Sequence, residues 1–234
     1  MAAAIAEPRT SAVPPLEVGE QLSRTEFHRR YLAMPAGQKW ELIEGVAYMA
    51  SPMRAKGHGR KHALLMTTLG QYFARTPGVE FQDNTTSILD DDNEPQPDAT
   101  LLVEPECGGQ TRDDADGYSV GAPEFIAEIA GSSKSIDLGP KLRAYRRNRV
   151  QEYLVWRTAD RAFDWHRWRD GAYVKLEPDA LGIVRSEIMP GLWLNLPALI
   201  RRDRTGAIAT VVAGLASPEH AAFVAELARR KGGA

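Results

Sequence analysis

Two strand-forming runs of this chain each carry a carboxylate, and that pairing limits the folds open to it. Asp98 follows Pro97 and opens the apolar run from Ala99 to Val103, while Glu128 interrupts a second run from Pro123 to Ala130. Burying an ionised carboxylate costs several kcal/mol unless a cation or a hydrogen-bond donor meets it. Two such acids on neighbouring strands make a site for a hard divalent cation, which takes oxygen ligands and keeps water positions open for a substrate phosphate. The pattern points to phosphodiester chemistry.

With 234 residues, 43% of them hydrophobic, the chain can fill one sizeable core. The expected organisation is a leader over residues 1–21, rich in Ala, Pro and Glu, and a single domain over 22–234. A formal net charge of -2 excludes a uniformly basic nucleic-acid coat, although a basic groove can still flank an acidic site. Cys107 is the single cysteine, so no internal disulfide and no cysteine-rich metal site can form, and a reducing cytosol is the expected compartment. The N-terminus lacks the basic start and apolar length of a secretory signal. No run approaches the roughly 20 apolar residues that span a bilayer, so a soluble protein is expected.

Punctuation and periodicity place the remaining elements. Thr25 is a candidate cap for a helix reaching about residue 33, and residues 40–49 read as a hairpin turning at Glu44 and Gly45. His58, His62, Leu65, Leu69 and Tyr72 recur at helical spacing between residues 57 and 74. A strand is expected over 81–89, followed by a solvated acidic loop, Asp90 to Pro95, without the spacing of a calcium loop. Pro140 suits the first turn of a helix ending near Asn148. Another strand covers residues 152–156, and Asp170 and Gly171 mark a hairpin turn within 161–177. A helix over 218–230 ends the series. Helices flanking a mixed sheet give an α/β or α+β class.

Lys141 borders the apolar stripe formed by Leu138, Leu142 and Tyr145, so its stem lies along the core. One reading makes it the partner of Asp137 in an i,i+4 pair worth only a few tenths of a kcal/mol, on a solvated face with Arg143, Arg146, Arg147 and Arg149. The other has Lys141 polarise an attacking water and offset charge at phosphorus, with the helical arginines on DNA phosphates.

These segments in this order resemble the PD-(D/E)XK nuclease superfamily and, within it, the Uma-type restriction endonuclease family of bacteria. The resemblance runs from about Thr25 to Leu227. It is carried by the stretch from Trp40 to Pro52, by Pro97 and Asp98, by the Glu128 strand, by the Asp137, Lys141 and Tyr145 spacing, and by Glu152 to Val155. It implies a restriction-endonuclease-like fold, with Asp98 and Glu128 as magnesium ligands (manganese a substitute), Glu44 as the matching upstream acid and DNA as substrate. His58 matches a histidine that often opens the first long helix of the family, where it would orient a carboxylate or contact phosphate. The superfamily lysine lies two residues after the second acid, but Ala130 stands there, so Lys141 must supply it from the following helix. Ala130-Gly131-Ser132-Ser133 also departs from the usual hydrophobic-Ser-Pro-Ser stretch.

Rival readings accompany these residues. Glu44 before a glycine is ordinary turn chemistry. Tyr145 reads foremost as a packing aromatic whose hydroxyl can reach the site. Trp156, Trp165 and Trp168 read as packing residues. His58 and His62 share a helical face, which allows a zinc hydrolase, although the glutamate of the His-Glu-x-x-His motif is missing. A non-catalytic DNA-binding or protein-interaction module on the same fold is the principal alternative to an endonuclease. By analogy with dimeric nucleases, the apolar segment from Ile208 to Ala216 is a candidate homodimer contact.

Overall fold

Strand alternation assembles these runs into a six-stranded mixed sheet. The computed structural model describes residues 13–49 and 58–233. Helix α1 (Arg24–Tyr31) precedes a hairpin of β1 (Trp40–Ile43) and β2 (Val46–Met49), and α2 (Arg60–Phe73) follows. Next come β3 (Val79–Asp83), β4 (Ser87–Ile88), β5 (Ala99–Val103), β6 (Arg112–Asp113), β7 (Ser119–Val120) and β8 (Phe125–Glu128). A helical crossover with α3 (Lys134–Ile136) and α4 (Leu142–Arg147) leads to β9 (Glu152–Arg157), β10 (Ala162–Arg169) and β11 (Ala172–Lys175). The C-terminal part holds β12 (Ile183–Arg185), β13 (Trp193–Asn195), α5 (Leu196–Arg201), α6 (Arg204–Leu215) and α7 (Pro218–Gly232).

The sheet order is β11-β10-β9-β8-β5-β3. Only β8 and β9 pair in parallel, joined by the helical crossover that parallel neighbours require. Because side chains alternate across a strand, Phe125, Ala127, Leu154 and Trp156 enter one core beneath α2 and α6. Ile126, Tyr153 and Val155 face the opposite side, where Tyr145 and Leu142 cover them. Glu128 keeps the parity of Ile126 and so points into the layer beneath α4.

The 40–49 hairpin turns as expected. Both turn residues, Glu44 (φ 52°) and Gly45 (φ 75°), have the positive φ of a two-residue primed turn. Asp170 (φ 48°) and Gly171 (φ 84°) repeat that geometry between β10 and β11.

Several local expectations need correction. Ser23, not Thr25, caps α1, its hydroxyl accepting the Glu26 N–H at 3.4 Å. The strand expected over 81–89 divides into β3 and β4, separated by a turn at Asn84, which has φ 55°. The last part of the expected leader is packed: Leu16 is buried against the β1–β2 hairpin, and Gly19 N–H donates to Ala47. Residues 1–12 lie outside the described residues, as do Ala50 to Gly57. Pro140 sits within a π-helical segment, Asp137–Lys141, rather than in a first turn. A proline has no N–H for the ladder, and the widened turn accommodates that loss. The apolar segment from Ile208 lies in α6, which buries Ala207, Thr210, Val211 and Gly214 against its own chain. Its hydrophobicity is therefore accounted for within the chain, and the expected homodimer contact gains no support. Among the described residues, no single helix is long and apolar enough to cross a membrane.

Candidate active site

The β5–β8 register places the two sequence-marked acids side by side. Ala99 pairs with Ala127, so the next position in the antiparallel ladder sets Asp98 across from Glu128, both on the face covered by α4. Glu128 is the last residue of β8 and is buried. Its Oε1 accepts Lys141 Nζ at 2.9 Å and the Tyr145 hydroxyl at 3.0 Å.

Lys141 is not a solvated surface lysine. Its side chain is 5% exposed and meets Glu41 at 2.7 Å, Glu128 at 2.9 Å and Asp137 at 3.8 Å. Asp137, only 2% exposed, accepts the Ser133 hydroxyl at 2.6 Å. The expected i,i+4 pair of Asp137 and Lys141 is present, but it is buried and shared with Glu41 and Glu128, because the crossover folds that turn of helix onto the sheet. The same placement brings Lys141 to Glu128 from α4's N-terminal side, in place of the missing lysine at Ala130.

Charge balance distinguishes this cluster from a closed salt bridge. Among the described residues, Glu41, Glu128 and Asp137 meet one ammonium, Lys141, and Asp98 lies opposite Glu128 with His58 beside it. Burial raises the Glu128 pKa well above the carboxylate range, Asp137, Asp98 and Glu41 add to that rise, and Lys141 opposes it. Burial likewise lifts Asp137 to about 6 against the pull of Lys141. Burial works against the Lys141 charge too, but Glu128, Glu41 and Asp137 together hold its pKa well above the usual value. Tyr145 is pushed far up by burial and by Glu128, so its hydroxyl keeps its proton and donates. Asp98 differs from the other acids. Burial again opposes its charge, but His58 and the Ile129 N–H outweigh that cost and lower its pKa.

The donor set fits a hard divalent ion. Asp98 uses Oδ2 to accept the Ile129 N–H at 2.7 Å, and its Oδ1 lies 3.3 Å from His58 Nε2. Glu128 directs Oε1 to Lys141 and Tyr145, and its Oε2 takes no hydrogen bond among the described residues. An excess of buried carboxylate oxygen over cationic charge is what magnesium or manganese coordination requires.

The remaining candidates divide clearly. Glu44 stays outside the cluster: it lies at the hairpin turn and pairs with Arg143 and, at 3.4 Å, with Arg147. Glu41 joins the cluster instead, its Oε1 meeting Lys141 and also accepting the Gln96 N–H at 2.7 Å. Its signal was legible in the alternation: Trp40 and Leu42 face the hairpin's own core, so Glu41 between them must face the sheet. Glu44 belongs to the turn, where that alternation ends. Arg143, Arg146 and Arg147 are exposed on α4, with Arg147 also 3.5 Å from Asp90. His58 lies 3.3 Å from Asp98, and His62 lies 3.0 Å from Asp83. Trp156 and Trp165 are core residues, while Trp168 donates its indole N–H to the Arg146 carbonyl at 3.1 Å.

A crystal structure described as a "putative nuclease belonging to DUF820" from Anabaena variabilis superposes with a TM-score of 0.58. The match covers 74% of this chain and 96% of that one, and at 16% identity it speaks for a shared fold alone. No curated protein matches the sequence. The family described as "Uma2: Putative restriction endonuclease" matches residues 24–197. That span includes Glu41, Asp98, Glu128, Asp137 and Lys141, and the chain belongs to the Uma2 family of nuclease-like proteins.

Proposed function

We propose that this protein is a magnesium-dependent endonuclease that hydrolyses DNA phosphodiester bonds, manganese serving as a substitute. The observation that carries this reading is the convergence of Glu128 and Glu41 on buried Lys141, with Asp98 opposite Glu128 on the neighbouring strand. Family membership supports a nuclease, and the metal and the DNA substrate are the proposal.

Asp98 and Glu128 would hold the ion, with Glu41 as the upstream acid in the place first expected for Glu44. When bound, the ion supplies Lewis acidity and an activated water. Lys141 stabilises negative charge as it builds on the phosphate oxygens, a role suited to a cation fixed in a low-dielectric site. Tyr145 and Asp137 hold Glu128 and Lys141 in register, so the reacting groups lose little freedom when substrate arrives. Arg143, Arg146 and Arg147 line the exposed face of α4, where the backbone of a bound duplex would exchange phosphates for the Glu44 contacts.

Cleavage of supercoiled plasmid and single-stranded DNA with magnesium, manganese or EDTA tests this reading. Metal-dependent nicking that disappears in Asp98→Ala, Lys141→Ala and Glu41→Ala, but persists in Glu44→Ala, is the expected result. Salt-dependent DNA binding without cleavage would instead favour a non-catalytic binding module.

A further inference from the structure

Asp98 serves a second group of ligands that the nuclease reading leaves unused. His58 lies two residues before α2 and His62 in its first turn, and their rings stack with centroids 5.5 Å apart and planes 23° from parallel. Ligand atoms of His58, His62 and Asp98 all lie within 4.8 Å of one another. The Nε2 of His58 is buried and meets no well-aligned hydrogen-bond partner among the described residues, its one close contact being the ion pair with Asp98 Oδ1, 3.3 Å away. The Ile129 N–H fixes the other Asp98 oxygen and thereby keeps Oδ1 aimed at the histidines. Asp83 lies 3.0 Å from His62 Nε2, where a carboxylate commonly orients a ligating imidazole.

We infer that His58, His62 and Asp98 form a nitrogen-bearing site for a borderline transition-metal ion, adjacent to the all-oxygen position of Glu128. Imidazole nitrogen favours zinc, cobalt, nickel or copper over magnesium, which prefers oxygen and sheds its waters reluctantly. The three ligands leave at least one coordination position for water, the arrangement typical of an open zinc site. An ion about 2.1 Å from each ligand atom would draw the three inward from their present spacing. His58 Nε2 would thereby exchange its 3.3 Å contact with Asp98 for a bond to the ion. The site requires no cleavage activity, so it can stand or fall apart from the endonuclease reading.

The test is a titration of EDTA-treated, dialysed full-length protein with cobalt(II), followed by visible absorption, with zinc and magnesium as competitors. The inference predicts one cobalt bound per chain with bands of a histidine-containing site, displaced by zinc and not by equimolar magnesium. His62→Ala and His58→Ala should weaken cobalt binding at least tenfold, whereas Glu128→Gln should leave it within about threefold. Zinc added to the wild type should also shift the imidazole resonances of His58 and His62, a readout that needs no variant to fold. Unshifted histidine resonances would overturn the assignment, as would cobalt affinity unchanged in His62→Ala or lost only with Glu128.

Discussion

The two ends of the β8–β9 pair bury acids in opposite ways. At one end, Glu124 accepts the N–H groups of Val103 at 2.9 Å and Gln110 at 3.0 Å. Beside it, Glu152 accepts Trp165 Nε1, the Ser186 hydroxyl and the N–H groups of Glu187 and Ile188, all between 2.7 and 3.1 Å. Neutral, fixed donors saturate these carboxylates and leave no role for a soluble cation. At the other end, Glu128, Asp137 and Glu41 share Lys141, and Asp98 adds a further acid. Burial is common to both ends, so burial alone does not mark a site. An unbalanced charge does, because the cheapest way to balance it is a bound ion.

Removing the ammonium that Glu41, Glu128 and Asp137 share should have the largest effect. Lys141→Met leaves three buried carboxylates facing one another, and a loss of about 3–5 kcal/mol is expected in denaturant melts near neutral pH. Plasmid nicking should vanish in the same variant, and lowering the pH should shrink the stability loss as those acids take up protons. A Lys141→Met protein as stable as the wild type would erase the contrast between the two ends.

Stripping the acceptor from the saturated end comes next. Glu152→Ala orphans four donors and should cost about 3 kcal/mol at an unsatisfied-group penalty of about 1–3 kcal/mol each, partly relieved by water. Metal affinity of the folded variant should not change. Altered metal binding in isothermal titration would show that the two ends are coupled.

The pH dependence of stability sharpens the same point at somewhat smaller amplitude. Burial lifts the Glu152 pKa to about 7 from an ordinary 4.5. The folded state therefore favours the protonated acid, and its contribution is complete below pH 4.5 and lost as pH rises toward 7. The span is about 3 kcal/mol. Glu152→Gln should flatten that part of the wild-type stability curve, and an unchanged slope would assign the dependence to other groups.

The smallest effect belongs to the hairpin turn. Glu44→Ala removes a surface pair with Arg143 and Arg147 and should change stability by less than about 1 kcal/mol. It should tighten DNA binding at low salt by freeing two guanidiniums, as a filter-binding salt series would show. Comparable losses of nicking in Glu44→Ala and Glu41→Ala would place both acids in the reaction.

Local patterns in the chain were enough to mark the helix stripe of α2, both primed turns, the strands around Glu128 and Glu152, and the two acids Asp98 and Glu128. Each depends on contacts within a few residues, or on a period that any window of sequence displays. Helix ends were less legible: Ser23 and Thr25 are both good caps, and only the chain path selects Ser23. The N-terminal segment read as a leader because its anchors, Val46 and Ala47, are supplied by a hairpin more than twenty residues away.

The sequence by itself determined that this chain would form a mixed sheet with acids in its strands and a lysine on the crossover helix, since periodicity and residue chemistry are local properties. Tertiary structure decided which acid joins them. Glu41 and Glu44 are equally acidic and three residues apart, but strand parity turns one into the sheet and the turn delivers the other to surface arginines. It also decided that Lys141 is buried among carboxylates rather than solvated, because its environment is built from β1, β8 and the crossover, segments that meet only in the folded chain.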